Sequence, residues 1–115
     1  MPRRAMRLTA SDQQWLNAYR EALASQFPGA VEQLLIYGSK ARGDAGPDSD
    51  LDVLLIVHDQ GAAGKRDLRR VGYLLAAATE VVPSIMAYTR GEWEQRKQSG
   101  SPFRRNVERD GVRVL

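Results

Sequence analysis

The fold is decided by residues 34–57, which read LLIYGSKARGDAGPDSDLDVLLIV. Two apolar runs flank a loop that begins with a Gly-Ser pair and ends with two aspartates, Asp50 and Asp52. Short runs rich in Leu, Ile and Val are typical of strands that are buried on both faces of a sheet. The stretch therefore predicts two strands, Val31–Tyr37 and Leu51–Val57, joined by a polar loop.

The Gly-Ser pair, Gly38-Ser39, directly follows the first predicted strand. Glycine allows a sharp turn and a close approach of the backbone to a ligand. The backbone N–H groups of such a turn, together with a hydroxyl, can bind phosphate. The turn is not a P-loop, because a P-loop needs Lys followed by Ser or Thr after its second glycine, whereas Asp44 and Ala45 follow Gly43.

Asp50 and Asp52 stand at positions i and i+2 at the start of the second strand, so their side chains lie on the same side of it. With a rise of about 3.3 Å per residue, their Cα atoms would be about 6.5–7 Å apart. At that distance two carboxylates can converge on one hard divalent cation, or on a pair of them, beside a bound triphosphate. The alternative is that both aspartates only shape and cap the Gly-Pro-Asp-Ser-Asp turn.

The arrangement of Gly38-Ser39, ten further residues and Asp50-Leu51-Asp52 resembles the signature of the nucleotidyltransferase superfamily related to DNA polymerase beta. It is most similar to the minimal bacterial members, which add Ala-Arg-Gly after the Gly-Ser pair and a Ser before the first Asp. Ala41-Arg42-Gly43 and Ser49 match these additions. The resemblance implies metal-dependent transfer of a nucleoside monophosphate from a nucleoside triphosphate, with ATP as the expected nucleotide. The acceptor would be a hydroxyl of a protein or of a small molecule.

The resemblance also implies roles for individual residues. Asp50 and Asp52 would be catalytic and would hold magnesium or manganese. The nucleotide would be bound by the residues of the turn and of the loop after it, which are Gly38, Ser39, Arg42, Gly43 and Ser49. Two alternatives stay open: Arg42 forms a salt bridge to Asp44 or Asp48, and Ser49 caps the start of the strand or fixes an aspartate.

Active relatives in this superfamily usually carry a third carboxylate on the next strand. If that strand is aligned by its end at Thr89, Ser84 stands where the acid is expected, and Ser is a poor magnesium ligand. Glu80 lies four residues before Ser84, so on a regular strand its side chain would point to the same face. Glu80 is therefore the alternative third carboxylate. A second function is therefore an antitoxin-like binding module with weak or lost activity. Its partner in a toxin–antitoxin pair would be a small helical HEPN-type protein of the ribonuclease kind.

The other elements follow from periodicity, capping and turn signals. Trp15, Leu16, Tyr19 and Leu23 form an apolar stripe on a helix that starts near Thr9 and ends before Pro28. A helix over 65–79, an edge strand over 81–88 interrupted by Pro83, and a terminal strand over 112–115 are also predicted, with short helices opening at Thr89 and Ser101. The resulting prediction is an α/β (α+β) nucleotidyltransferase fold, a small mixed sheet with helices mainly on one face.

Composition limits the remaining possibilities. The chain has 115 residues with 43% apolar content, which predicts a single domain over 1–115 with a modest core. One His and no Cys exclude a disulfide framework and a Cys- or His-based zinc site. No apolar run approaches the roughly 20 residues of a membrane span, so we expect a cytoplasmic protein with no membrane contact.

Charge and size bear on partners. The net charge is +3, but the basic residues cluster. Such clusters either attract polyphosphate or nucleic acid or are a solvated surface, so nucleic acid stays open as a substrate. The chain is too short for the extra substrate-binding domain of larger relatives, and we expect a helical protein partner or a homo-oligomer. The clusters are Arg3, Arg4 and Arg7; Lys65, Arg66, Arg69 and Arg70; and Arg104, Arg105, Arg109 and Arg113.

Overall fold

The structure, a computed structural model, describes residues 6–46, 49–59 and 64–115. None of the described helices has both the length and the apolarity that a membrane span requires. In chain order the elements are α1 (Ala10–Gln26), β1 (Val31–Tyr37), α2 (Gly38–Arg42), β2 (Leu51–Val57), α3 (Lys65–Ala76), β3 (Pro83–Thr89), α4 (Arg90–Gln98), α5 (Pro102–Asp110) and β4 (Val112–Arg113).

The four strands form one mixed sheet in the order β3-β2-β1-β4. β1 pairs antiparallel with both β2 and β4, whereas β2 and β3 are parallel. The parallel pair needs a crossover connection, and α3 supplies it. The prediction of a small mixed sheet is confirmed. The second strand is buried on both faces, as predicted, since nearly every side chain of β2 is buried.

Helices pack on both faces of β2. This is possible because apolar residues occupy nearly every position of the strand instead of alternating with polar ones. Leu55 and its same-face neighbours contact the core side of α1 and α3, where Tyr19 and Leu68 are fully buried. Leu54 and Ile56 face the other way and pack with Trp93 of α4 and Val107 of α5. The two longest helices thus share one face, as predicted, and the shorter α4 and α5 cover part of the other.

Helix α1 begins and docks as its sequence indicates. Thr9 and Asp12 form a capping box, in which each side chain accepts a hydrogen bond from the backbone N–H of the other residue. The indole N–H of Trp15 donates to the carbonyl of Gly72 at 2.9 Å, and the Tyr19 hydroxyl donates to the carbonyl of Leu68 at 2.7 Å. The apolar stripe of α1 is therefore core, and its polar atoms tie α1 to α3.

Three predicted boundaries were wrong. α3 ends at Ala76 rather than at residue 79, and the terminal strand is reduced to Val112–Arg113. β3 starts at Pro83 and runs in unbroken register to Thr89 instead of being interrupted there. A proline is tolerated as the first residue of an edge strand, where its missing N–H removes no ladder bond. The predicted edge position of this strand is confirmed.

Candidate functional site

The turn between β1 and β2 starts with one short helix bounded by glycines. Gly38 is the first residue of α2 with a φ of 76°, and Gly43 ends it with a φ of 80°. Both values lie in the left-handed region, which favours glycine. The N–H of Asp44 donates to the carbonyl of Ser39, which closes the turn, and the Ser39 hydroxyl makes no hydrogen bond to any described residue.

The sheet brings the second aspartate onto this turn. Tyr37, the last residue of β1, is directly opposite Asp52 of β2. A Cβ added to Gly38 would lie 2.2 Å from Oδ2 of Asp52. The half-buried carboxylate of Asp52 therefore occupies the space that a side chain at position 38 would need. The two halves of the sequence motif, fifteen residues from end to end, form one contiguous site.

The electrostatics of Asp52 suit a cation. Burial raises the pKa of the Asp52 carboxyl above its ordinary value, and the negative charge of Asp50 raises it further, while Arg42 opposes both. Asp50 itself is exposed, immediately before β2. Two carboxylates at the rim of a sheet that repel each other are a fitting donor pair for a hard divalent cation.

The donor set for a metal is small. Within residues 6–46, 49–59 and 64–115, no group of three or more His, Cys, Asp or Glu side chains could hold a metal ion. Magnesium is commonly bound through one or two carboxylates, with substrate phosphates and waters completing its shell. Asp50 and Asp52 fit that pattern.

Arg42 is held beside the site by other acids. Its Nε lies 3.2 Å from Oδ2 of Asp44, and its Nη1 lies 3.6 Å from Oδ2 of Asp110 on α5. The alternative of a salt bridge to Asp44 is thus confirmed, and Asp48 lies outside the described residues. The pair with Asp44 is exposed on both sides and contributes little, so it does not prevent Arg42 from binding a phosphate.

Ser49 and Gly43 occupy different surroundings. The N–H of Ser49 donates to the carbonyl of Gly46 at 3.2 Å, but the Ser49 hydroxyl makes no hydrogen bond to a described residue. The alternative that this hydroxyl caps the strand or fixes Asp50 or Asp52 was therefore wrong, because it bonds to none of the described residues. Ser49 instead lines a cavity that Lys40 also lines. Gly43 is buried at the end of α2 and closes the turn.

The neighbouring strand has no acid beside Asp52. In the parallel pairing of β2 with β3, Asp52 is the register partner of Ser84. Glu80 is exposed in the segment before β3 and does not join Asp50 and Asp52 in a three-carboxylate group. The alternative that Glu80 replaces the third carboxylate was therefore wrong, because β3 starts only at Pro83 and the strand parity that linked Glu80 to Ser84 does not apply.

Comparison with known proteins gives the family. The model of the family described as a nucleotidyltransferase domain matches residues 16–111, which include the Gly-Ser turn, both aspartates and β3. The chain belongs to the nucleotidyltransferase domain family. The general chemistry of the family is nucleotidyl transfer, and the sequence resemblance to nucleotidyltransferases is confirmed.

Individual relatives add detail. A protein of Methanocaldococcus jannaschii, named as a proposed protein adenylyltransferase, is 30% identical over 46 residues, which are 40% of this chain and 46% of that protein. The chain thus aligns with less than half of that relative's length. A crystal structure of a proposed nucleotidyltransferase from Sulfolobus solfataricus has the same fold. It matches with a TM-score of 0.52 and 24% identity over 89% of this chain and 78% of that one.

Two features of this nucleotidyltransferase domain escaped the sequence reasoning. Lys40, inside the Gly-Ser motif, forms a buried ion pair with Asp12, with Nζ 2.5 Å from Oδ2. Nothing local in the sequence links these residues, which are 28 positions apart. Tyr37 also lies beside the site, because it is the register partner of Asp52. Burial, followed by the charge of Asp52, raises the pKa of Tyr37 to about 12. The sequence signal for Tyr37 was its position immediately before Gly38.

Proposed function

We propose that this domain is a metal-dependent nucleotidyltransferase that moves a nucleoside monophosphate, with ATP as the donor, to a hydroxyl of a protein or small-molecule acceptor. The observation that carries the proposal is the contact between Gly38 and Asp52. That contact puts a turn able to bind phosphate beside two carboxylates able to hold a cation, and a metal–nucleotide needs both at once.

Each part of the site has a role in this reaction. Asp50 and Asp52 would hold magnesium or manganese, which when bound would neutralise phosphate charge and lower the pKa of the attacking hydroxyl. Ser39 and the N–H groups of the turn bind the β- and γ-phosphates. Arg42 donates to a phosphate oxygen as a planar, permanently charged group. The acceptor oxygen forms a bond to the α-phosphorus as the bond to the pyrophosphate oxygen breaks, so these residues act through positioning and charge.

The nature of the acceptor is supported by one relative. The protein of Methanocaldococcus jannaschii is named as a proposed protein adenylyltransferase, which favours a protein hydroxyl and an adenosine nucleotide here. On this proposal, a protein acceptor is a partner chain or a second copy of this chain.

A second candidate function rests on the pairing of Asp52 with Ser84. With no carboxylate at that neighbouring position, the domain could bind a metal–nucleotide without efficient transfer. In that case it serves as an antitoxin-like module that inhibits a helical HEPN-type partner through contact. The two functions differ in whether Asp52 is needed for the effect on the partner.

Labelled nucleotide distinguishes these functions. The protein is incubated with magnesium, ATP labelled at the α-phosphate and the proteins that co-purify with it from its source cells. Transfer predicts label in an acceptor and equal release of pyrophosphate, both lost in Asp52→Asn. The exposed Asp67→Asn variant, which makes the same chemical change on α3, should keep them. Release of phosphate instead of pyrophosphate, or label that persists in Asp52→Asn, would reject the transferase.

A further inference from the structure

A groove lies along the first turns of α1, and two sequence neighbours of the site residues line it. One cavity of about 730 Å³ is lined by Lys40 and Ser49, which adjoin Ser39 and Asp50 in sequence, and by the start of α1. A second cavity of about 380 Å³ continues from it, and both are lined by Ser11 and Glu80. Each cavity has a volume at which proteins bind small organic ligands.

The end of the groove nearest the aspartates is polar but not positive. Lys40 lines it, but Asp12 compensates the Lys40 charge at 2.5 Å, and both side chains are buried. Glu80 adds an uncompensated negative charge, since it has no hydrogen-bond or ion-pair partner among the described residues. A phosphate would be repelled there, whereas a neutral group that carries hydroxyls could donate to the Glu80 carboxylate.

The far end of the groove combines apolar and polar side chains. Its lining includes Trp15, Leu75 and Ala78, together with the short polar side chain of Thr79 and the amide of Gln14. Trp15 is only 2% exposed, so it forms part of the floor of this cavity and its ring is not free to stack on a ligand. A flat ring that carries several hydrogen-bonding atoms, such as a nucleobase, suits this mixed lining.

We propose that this groove binds the nucleoside of the nucleoside triphosphate, with Glu80 accepting hydrogen bonds from the ribose hydroxyls and the base lying along the far half. The proposal rests on the proposed function, which places the phosphates at Gly38 and Ser39. A carboxylate that accepts from ribose hydroxyls is a recurrent solution in nucleotide-binding proteins. Glu80 is then a specificity-determining residue, although it is no metal ligand.

Calorimetric titration with three probes tests the proposal, each with excess magnesium. The probes are an ATP analogue with a methylene between the α- and β-phosphates, its 2′,3′-dideoxy form, and inorganic tripolyphosphate. Wild type should bind the analogue at least about tenfold more tightly than either other probe, because hydrogen bonds to a charged group are among the strong ones. Glu80→Ala should lose most of this preference and bind tripolyphosphate as well as wild type does.

Two further variants separate a local effect from a general one. Glu21→Ala removes an equal charge from the exposed face of α1 and should leave all three affinities unchanged. Ser11→Trp fills the groove and should weaken the analogue while sparing tripolyphosphate. Circular dichroism confirms that each variant is folded.

The outcomes distinguish the groove from the site itself. If wild type binds the analogue and tripolyphosphate equally, or if the Glu80→Ala and Ser11→Trp variants bind the analogue as wild type does, the groove does not hold the nucleoside and this inference is overturned. The phosphate and metal site would stand in that case. If no probe binds wild type, the proposed function fails, and this inference fails with it.

Discussion

The α-carbon of Gly38 faces the carboxylate of Asp52 so closely that a Cβ at position 38 would lie 2.2 Å from Oδ2. The glycine of the turn therefore has two independent roles. It adopts a left-handed backbone at a φ of 76°, and it leaves room for the aspartate. Because Gly29 has nearly the same φ, 77°, and open space around its α-carbon, the two roles can be separated.

Gly38→Ala should damage the site beyond its cost in stability. Gly29→Ala should lower the free energy of unfolding by about 1–2 kcal/mol, the cost of a left-handed alanine. Gly38→Ala should cost at least as much and should also abolish magnesium-dependent nucleotide binding, because Asp52 must rotate away. Urea denaturation and calorimetric titration of both variants measure the two effects. A Gly38→Ala variant that binds nucleotide as well as Gly29→Ala would show that the contact is unimportant.

Gly72 of α3 should be intolerant of alanine although it lies in a helix. An added Cβ would lie 2.4 Å from Cδ1 of Ile85 and 3.0 Å from Cζ of the Tyr19 ring. Overpacking of this kind should destabilise the protein by about 1–3 kcal/mol. Gly91→Ala in α4 is the matched control, since its Cβ would meet only the carboxylate end of Asp59 at 3.2 Å. Equal thermal stability of the two variants would contradict the close approach of α1 and α3.

Glu92 should give a stability that depends on pH. A hydrogen bond from Lys65, followed by one from the backbone N–H of Thr89, lowers the pKa of the Glu92 carboxyl below its ordinary value of 4.5. A lowered pKa means that the folded state binds fewer protons than the unfolded state, so the stabilisation is present above pH 4.5 and disappears as the pH falls through the folded value.

The Glu92→Gln variant isolates that charge, because glutamine can still accept the capping hydrogen bond of Thr89. At pH 7 it should be less stable than wild type, by less than about 1 kcal/mol since the pair is exposed. The difference should close in thermal melts recorded at progressively lower pH. A difference in stability between wild type and Glu92→Gln that stays constant down to acidic pH would mean that the Glu92 charge does not contribute to it.

Arg104 should be the basic residue of α5 whose loss is costly. It is 9% exposed, its Nε lies 2.7 Å from Glu108, and its guanidinium stacks 4.7 Å from the centre of the Trp93 ring while donating to the Trp93 carbonyl. Arg104→Ala should lower the unfolding free energy by about 2–3 kcal/mol, from lost packing and charged hydrogen bonds. The neighbouring, exposed Arg105→Ala should change it by less than about 0.5 kcal/mol. Chemical denaturation that ranks the two variants equally would argue against this anchor of α4 to α5.

Much of the fold could be predicted because its signals are local. The apolar run of β2 indicated a strand buried on both faces, and capping signals placed the start of α1 near Thr9, both within a few residues. The glycine and the aspartates of the site were predicted from a short motif that resembles the nucleotidyltransferase signature. The sheet then confirmed that Gly38 and Asp52 meet.

The remainder depends on contacts that no short window contains. The ion pair between Asp12 and Lys40 joins two helices through the tertiary fold, and periodicity says nothing about such pairs. The register that sets Ser84 beside Asp52 is a property of the paired strands. Pro83 was predicted to interrupt β3, because the sequence does not reveal on which side of the strand its hydrogen-bonded neighbour lies.

Calorimetric titration with magnesium and a non-hydrolysable ATP analogue tests whether Asp50 and Asp52 form a metal–nucleotide site, with wild type beside the Asp50→Asn/Asp52→Asn double variant. We predict binding to wild type that requires magnesium and is lost in the double variant, whose thermal stability should be retained. Equal binding by both proteins, or binding to wild type that is unaffected by removing magnesium, would contradict a metal–nucleotide site at these two aspartates.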